Sequence, residues 1–177
     1  MKKGILIVLG ALLGIVLISN LINSAPTTRL NASSAQPTEI AQAAPSTESE
    51  QASLQSLISS CRASFNAGFP QQNDVEWQEE NRAVVVSLWP DGFGAEMAEY
   101  ALTDVKYLQQ WNGICAGLQD ISVELREQFV ANGYDDVAIK INLYDPVYFD
   151  LLLASIENGE ILFDAVDSTQ PGERILP

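Results

Sequence analysis

The sequence predicts an α+β domain in the order α-β-β-α-β-β-β, with a long helix and a shorter one covering one face of a mostly antiparallel or mixed sheet. Three observations predict it. Apolar residues recur from Met97 to Phe129 at a mean spacing close to the ~3.6 of an α-helix. Val137, Ile139, Ile141 and Leu143 alternate with Ala138, Lys140 and Asn142, the pattern of a half-buried strand. Two apolar runs flank Asn158-Gly159, a dipeptide whose residues accept the left-handed conformations of a tight hairpin turn.

The first helix is expected over residues 53–66, where Leu54, Leu57, Ile58, Cys61 and Phe65 share one face, and Asn66-Ala67-Gly68 with Pro70 ends it. Val75–Gln78 and Ala83–Trp89 are rich in β-formers and read as a hairpin stopped by Pro90-Asp91-Gly92. The apolar phase then runs unbroken through Met97, Ala101, Val105, Leu108, Trp111, Cys115, Leu118, Ser122, Leu125 and Phe129. One long helix, bent near Asn112-Gly113 if anywhere, is expected to end at Asn132-Gly133. In the last hairpin a two-residue turn would place Ile156 opposite Ile161, Ala154 opposite Phe163 and Leu152 opposite Ala165. One uninterrupted helix would return the chain so that the strands ending at Trp89 and Tyr144 run parallel, with the loops after them at one edge of the sheet.

The domain is expected to occupy residues 54–177. Before it, Lys2 and Lys3 precede an apolar run over residues 5–22, roughly 27 Å long as a helix and close to a bilayer core. The positive charge on the amino-terminal side favours that end staying in the cytoplasm, so residues 1–22 read as a single-pass signal-anchor in the plasma membrane, with the domain extracytoplasmic. Cleavage and secretion is the alternative; the small-residue site Asn23-Ser24-Ala25 is followed by Pro26, a poor residue for it. Residues 23–53 are dominated by Ser, Thr, Ala, Pro, Gln and Glu and read as a disordered linker.

Composition excludes more than it assigns. The segment from residue 54 onward carries the whole net charge of −14, the charges before it cancelling. Such a domain repels phosphate backbones, which excludes nucleic acid, and leaves a basic envelope protein or peptide, or a divalent cation, as the allowed partners. Histidine is absent. That removes Ser-His-Asp and Cys-His nucleophiles, imidazole bases and His-ligated zinc. No cofactor and no resident metal is expected.

The run Ala83-Val84-Val85-Val86-Ser87-Leu88-Trp89-Pro90-Asp91-Gly92, the strand ending Asn142-Leu143-Tyr144-Asp145, and the hairpin through Asn158-Gly159 to Phe163-Asp164-Ala165-Val166 carry a resemblance. They resemble small uncharacterised extracytoplasmic proteins of Gram-positive bacteria, over most of the domain. Many of those look like lipoproteins, whereas this chain lacks the lipid-accepting Cys. The resemblance implies no activity.

Two constellations carry chemistry. Cys61 and Cys115 lie on the apolar faces of their helices and could form a disulfide in an oxidising compartment, or remain buried thiols. Asp91, Asp145, Tyr148 and Asp150 crowd the loops after two strands, with Trp89, Glu96 and Tyr144 beside them. They could hold a cation or a peptide, supply a carboxylate pair, or be solvated turn residues. No spacing matches the calcium loop, whose ligands alternate over about 12 residues. The expected function is a tethered extracytoplasmic binding or regulatory module. The alternatives are a carboxylate-based hydrolase of envelope polysaccharide and a purely structural envelope protein.

Overall fold

The computed structural model describes residues 47–169 and 174–175. The expected signal-anchor and nearly all of the expected linker lie outside these residues. Among the described residues no helix is long and apolar enough to cross a membrane, so a transmembrane helix is not a feature of this structure.

Chain order is α1 (Thr47–Gly68), β1 (Asn73–Gln78), β2 (Ala83–Leu88), α2 (Ala95–Ala101), α3 (Val105–Ala131), β3 (Ala138–Tyr144), β4 (Leu152–Glu157), β5 (Glu160–Asp164) and the single turn α4 (Ala165–Ser168). The strands form one sheet in sequence order. β2 and β3 are parallel and every other neighbouring pair is antiparallel. The sheet is therefore mixed, an α+β architecture in approximately the expected order. The helix α1 begins at Thr47, inside the stretch read as linker, so the ordered domain starts earlier than residue 54.

Alternation along the strands decides which side faces the helices. Val75 in β1, Val84, Val86 and Leu88 in β2, and Ile139, Ile141 and Leu143 in β3 enter one core. They meet Leu54, Ile58, Cys61 and Phe65 from α1 and Trp111, Cys115, Leu118, Leu125 and Phe129 from α3. The residues between them in register, Asp74, Ser87, Asn142 and Ser155, make a polar row across the other face.

The expected long helix is two helices. The break falls at Leu102-Thr103-Asp104, not at Asn112-Gly113. Asp104 adopts an extended conformation (φ −128°) and its carboxylate accepts from the Lys106 N–H, which caps α3. Val105, counted in the apolar stripe, is exposed at the start of α3. Met97 and Ala101 match the α3 phase because both helices cover the same core. The break also shortens the helix beside the strands, leaving α3 about 40 Å long where a single helix from Ala95 would have spanned about 55 Å.

Gly113 is exposed and helical, and a Cβ there would meet nothing within 4 Å. Gly113→Ala is therefore expected to stabilise the domain by about 0.5–1 kcal/mol. Urea denaturation checks this; a loss of stability would mean the helix is strained at that point.

The last hairpin departs from its expected register. Asn158 and Gly159 both have positive φ (50° and 87°), the two-residue turn the sequence signals. A Cβ on Gly159 would sit 2.5 Å from the Val123 side chain, so α3 also requires glycine here. Ile156 pairs with Ile161 as expected. Beyond that a bulge inserts Leu162, so Ser155 faces Phe163 and Ala154 faces Asp164. The bulge turns Asp164 into the core in place of Phe163, and Ala165, expected opposite Leu152, begins α4 instead.

Candidate functional site

The parallel pairing of β2 and β3 sends their carboxyl ends to one edge of the sheet, with the Asn158-Gly159 turn at the other. The loops carrying Asp91, Asp145, Tyr148 and Asp150 therefore share an edge.

Asp145 is buried, and its carboxylate is committed to backbone. Oδ1 accepts from Val147 N–H at 2.7 Å and Tyr148 N–H at 2.6 Å. Oδ2 accepts from Ala95 N–H at 2.6 Å, the first residue of α2. That helix has Gly94 at its cap position and so no capping side chain of its own. Asp145 supplies the cap from a distant strand end, where the partial positive charge of the helix favours an anion. Gly94 is what lets it approach: a Cβ there would lie 2.7 Å from Oδ2. Asp145 is thus a structural hub and not a free ligand. Asp91 and Asp150 are exposed. Among the described residues no group of three or more acidic or cysteine side chains is placed to hold a metal ion.

The loop that Asp145 organises is closed at its base and open at its tip. Asp145 N–H donates to Leu151 C=O at 3.0 Å, and Leu151 N–H to Tyr148 C=O at 2.8 Å. The Trp89 indole N–H donates to Phe149 C=O at 3.1 Å. Trp89 itself stacks on Tyr144, with centroids 5.4 Å apart and planes 16° apart. The backbone of residues 145–151 is therefore fixed from three directions. On it stand Val147, Tyr148 and Phe149, which are 73%, 48% and 64% exposed. Burying side chains of this kind is worth about 1.5–3 kcal/mol each. A loop so held that keeps three of them in water is the candidate contact surface of this edge.

Of the expected site residues, the structure thus keeps Tyr148 at the tip, places Asp91 and Asp150 on exposed turns of the same edge, and withdraws Asp145 into the scaffold. Sequence reasoning missed Val147 and Phe149. The signal was present as an apolar triplet between Pro146 and Asp150 that belongs to no helical or strand period.

The sequence leaves Cys61 and Cys115 as a disulfide or as buried thiols, and in this structure they are not bridged. Cys61 and Cys115 are free, buried thiols in the core. Cys115 donates to Asp164 Oδ2, S to O 3.7 Å, so that its sulfur has a partner of its own on β5. Burial pushes the Cys61 thiol from 9.0 up to about 12, with Arg62 opposing. Burial, and then the Asp164 charge, push Cys115 up to about 12 as well. A thiol whose pKa is raised on folding stabilises the fold only while it stays protonated. That contribution is complete below pH ~9 and is lost as pH rises towards ~12. Stability is expected to fall steeply over that window, and Cys61→Ala/Cys115→Ala should flatten the fall. In the native protein at neutral pH neither thiol should react with a maleimide, and both should react after unfolding without reductant. One unreactive pair after unfolding would restore the disulfide.

No known family model, curated protein or solved structure matches this chain.

Proposed function

We propose that this domain is a binding module of the cell envelope whose contact element is the loop Asp145–Leu151. The observation that supports it is the exposure of Val147, Tyr148 and Phe149 on a backbone held by the buried Asp145 carboxylate and the Trp89 indole. A preorganised apolar tip loses little conformational freedom on docking, so most of the burial it gains appears as affinity. Nothing comparable supports catalysis: the one carboxylate buried in these loops is already engaged by three backbone N–H groups. The extracytoplasmic setting rests on Lys2, Lys3 and the apolar run after them. A carboxyl-terminal alkaline phosphatase fusion, active only after export, tests that part, and an inactive fusion overturns it.

A photo-crosslinking residue placed at Tyr148 in cells is expected to give a discrete adduct. The same residue at Val130, also exposed but in the last turn of α3, should give none. Val147→Ser/Phe149→Ser should abolish the adduct while leaving the melting temperature almost unchanged, because both side chains stand in water. An adduct that survives the double substitution would sink the loop as the contact element.

A further inference from the structure

We infer that the surface receiving the Val147–Phe149 tip is that of a cationic protein, an apolar pocket ringed by Lys or Arg. This rests on the reading of that loop as the contact element and adds the chemistry of its partner.

The argument is the distribution of charge about the tip. Exposed Asp150 follows the apolar triplet directly, and exposed Asp91 stands on the turn after the neighbouring parallel strand. Asp74 lies at the same edge, because the start of β1 pairs with the end of β2. Exposed Glu96 and Asp104 follow on the segment that Asp145 pins to the loop. Between Ala83 and Val105 the sequence contains no Lys or Arg, and none between Ile141 and Glu173. Lys106 lies in the first turn of α3, and Asp104 lies two residues before it.

Three arginines have partners of their own, Arg62 bonding the residue that follows Asp74. Arg82 pairs with Asp136 at the opposite edge, Arg126 donates to the Asp135 carbonyl there, and Arg62 donates to the Val75 carbonyl. An edge with this excess of exposed acidic side chains beside an apolar tip repels a second copy of this domain, nucleic acid and anionic lipid alike. It attracts a basic surface over several ångströms, and the field strengthens once the apolar tip excludes water from between the charges.

Two synthetic peptides of about a dozen residues test it, one alternating Lys with Leu and one alternating Glu with Leu, so that hydrophobicity is matched and charge reversed. Amide and indole shifts of the full domain are followed by NMR. The Lys/Leu peptide should move Val147–Phe149, Asp150, Asp91 and the Trp89 indole, and the Glu/Leu peptide should leave them unmoved. Affinity should fall about tenfold or more between ~0.05 and ~0.5 M salt, where screening shortens several-fold. It should fall similarly in Asp91→Lys/Asp150→Lys, and Val147→Ser/Phe149→Ser should remove the tip shifts.

Equal loop shifts with both peptides would overturn the cationic partner and leave the loop reading standing. Lys/Leu shifts confined to acidic residues away from the loop would overturn both. Binding of the tip to zwitterionic phosphatidylcholine vesicles, or self-association through the tip, would replace the cationic protein with a lipid surface or a second copy, and so overturn it.

Discussion

Asp145→Ala is expected to destabilise the domain by about 3–5 kcal/mol, a large share of the ~5–15 kcal/mol by which domains of this size are stable. The hydrogen bonds of the side chain account for such a loss. Each of its three acceptor contacts is charge-assisted and short, and such bonds contribute about 1.5–3 kcal/mol each. The three donors do not lose equally. Val147 and Tyr148 N–H lie in an exposed loop and can turn to water. Ala95 is fully buried, so its N–H would be left without a partner at the start of α2. Asp145→Asn separates these contributions. Its one carbonyl oxygen can serve either the loop or the helix, while the amide nitrogen would point a donor at another donor. It should cost about half as much, and hydrogen exchange should show either the loop or the first turn of α2 opening. Guanidinium denaturation checks the magnitudes. A loss below about 1 kcal/mol for the alanine variant would mean the carboxylate does not hold the two segments together.

This hub shows where sequence reading succeeds and where it stops. The pairing of β2 with β3 followed from chain return, because helical chain between two strands brings the second back parallel to the first. The reason given, one unbroken helix, was not the mechanism. Val105 fitted the period yet lies in solvent, since phase reports a shared core and not a continuous backbone. Asp145-Pro146 looked like turn chemistry, and it is, but its third partner is Ala95, 50 residues away. No local pattern reveals a cap contributed from another element. The same holds for Leu162, whose bulge decides whether Phe163 or Asp164 enters the core and which no alternation rule foresees. Cys61 and Cys115 were placed on core faces and they are in the core; that each has its own surroundings there depends on the packing of α1 and α3. The exposed triplet Val147-Tyr148-Phe149 was legible as composition, but the fixing of its backbone depends on Trp89 arriving from the neighbouring strand end.

Trp111→Ala carries the other large expected effect. The indole is fully buried, lies 6.5 Å from the Phe93 ring in a stacked pair, and donates its N–H to Asp164 Oδ1 at 2.9 Å. Removing it opens a cavity between α3 and the chain leading into α2, and large-to-small changes of this kind cost about 3–5 kcal/mol. Trp111→Phe retains most of the apolar volume and loses the donor, so it should cost about 1–2 kcal/mol. Asp164 would not be orphaned by either change, because Oδ1 also accepts from Val166 N–H at 2.8 Å and caps α4. The reverse substitution is harsher in kind: Asp164→Ala leaves the Trp111 N–H buried without an acceptor, frees the Cys115 thiol, and uncaps α4. A double-mutant cycle between Trp111→Phe and Asp164→Ala isolates the indole–carboxylate bond from the capping, and the coupling should be about 1–2 kcal/mol. If that coupling were near zero, Asp164 would be in the core for α4 alone. The strand bulge at Leu162 would then serve the last turn of the domain and not its packing against α3.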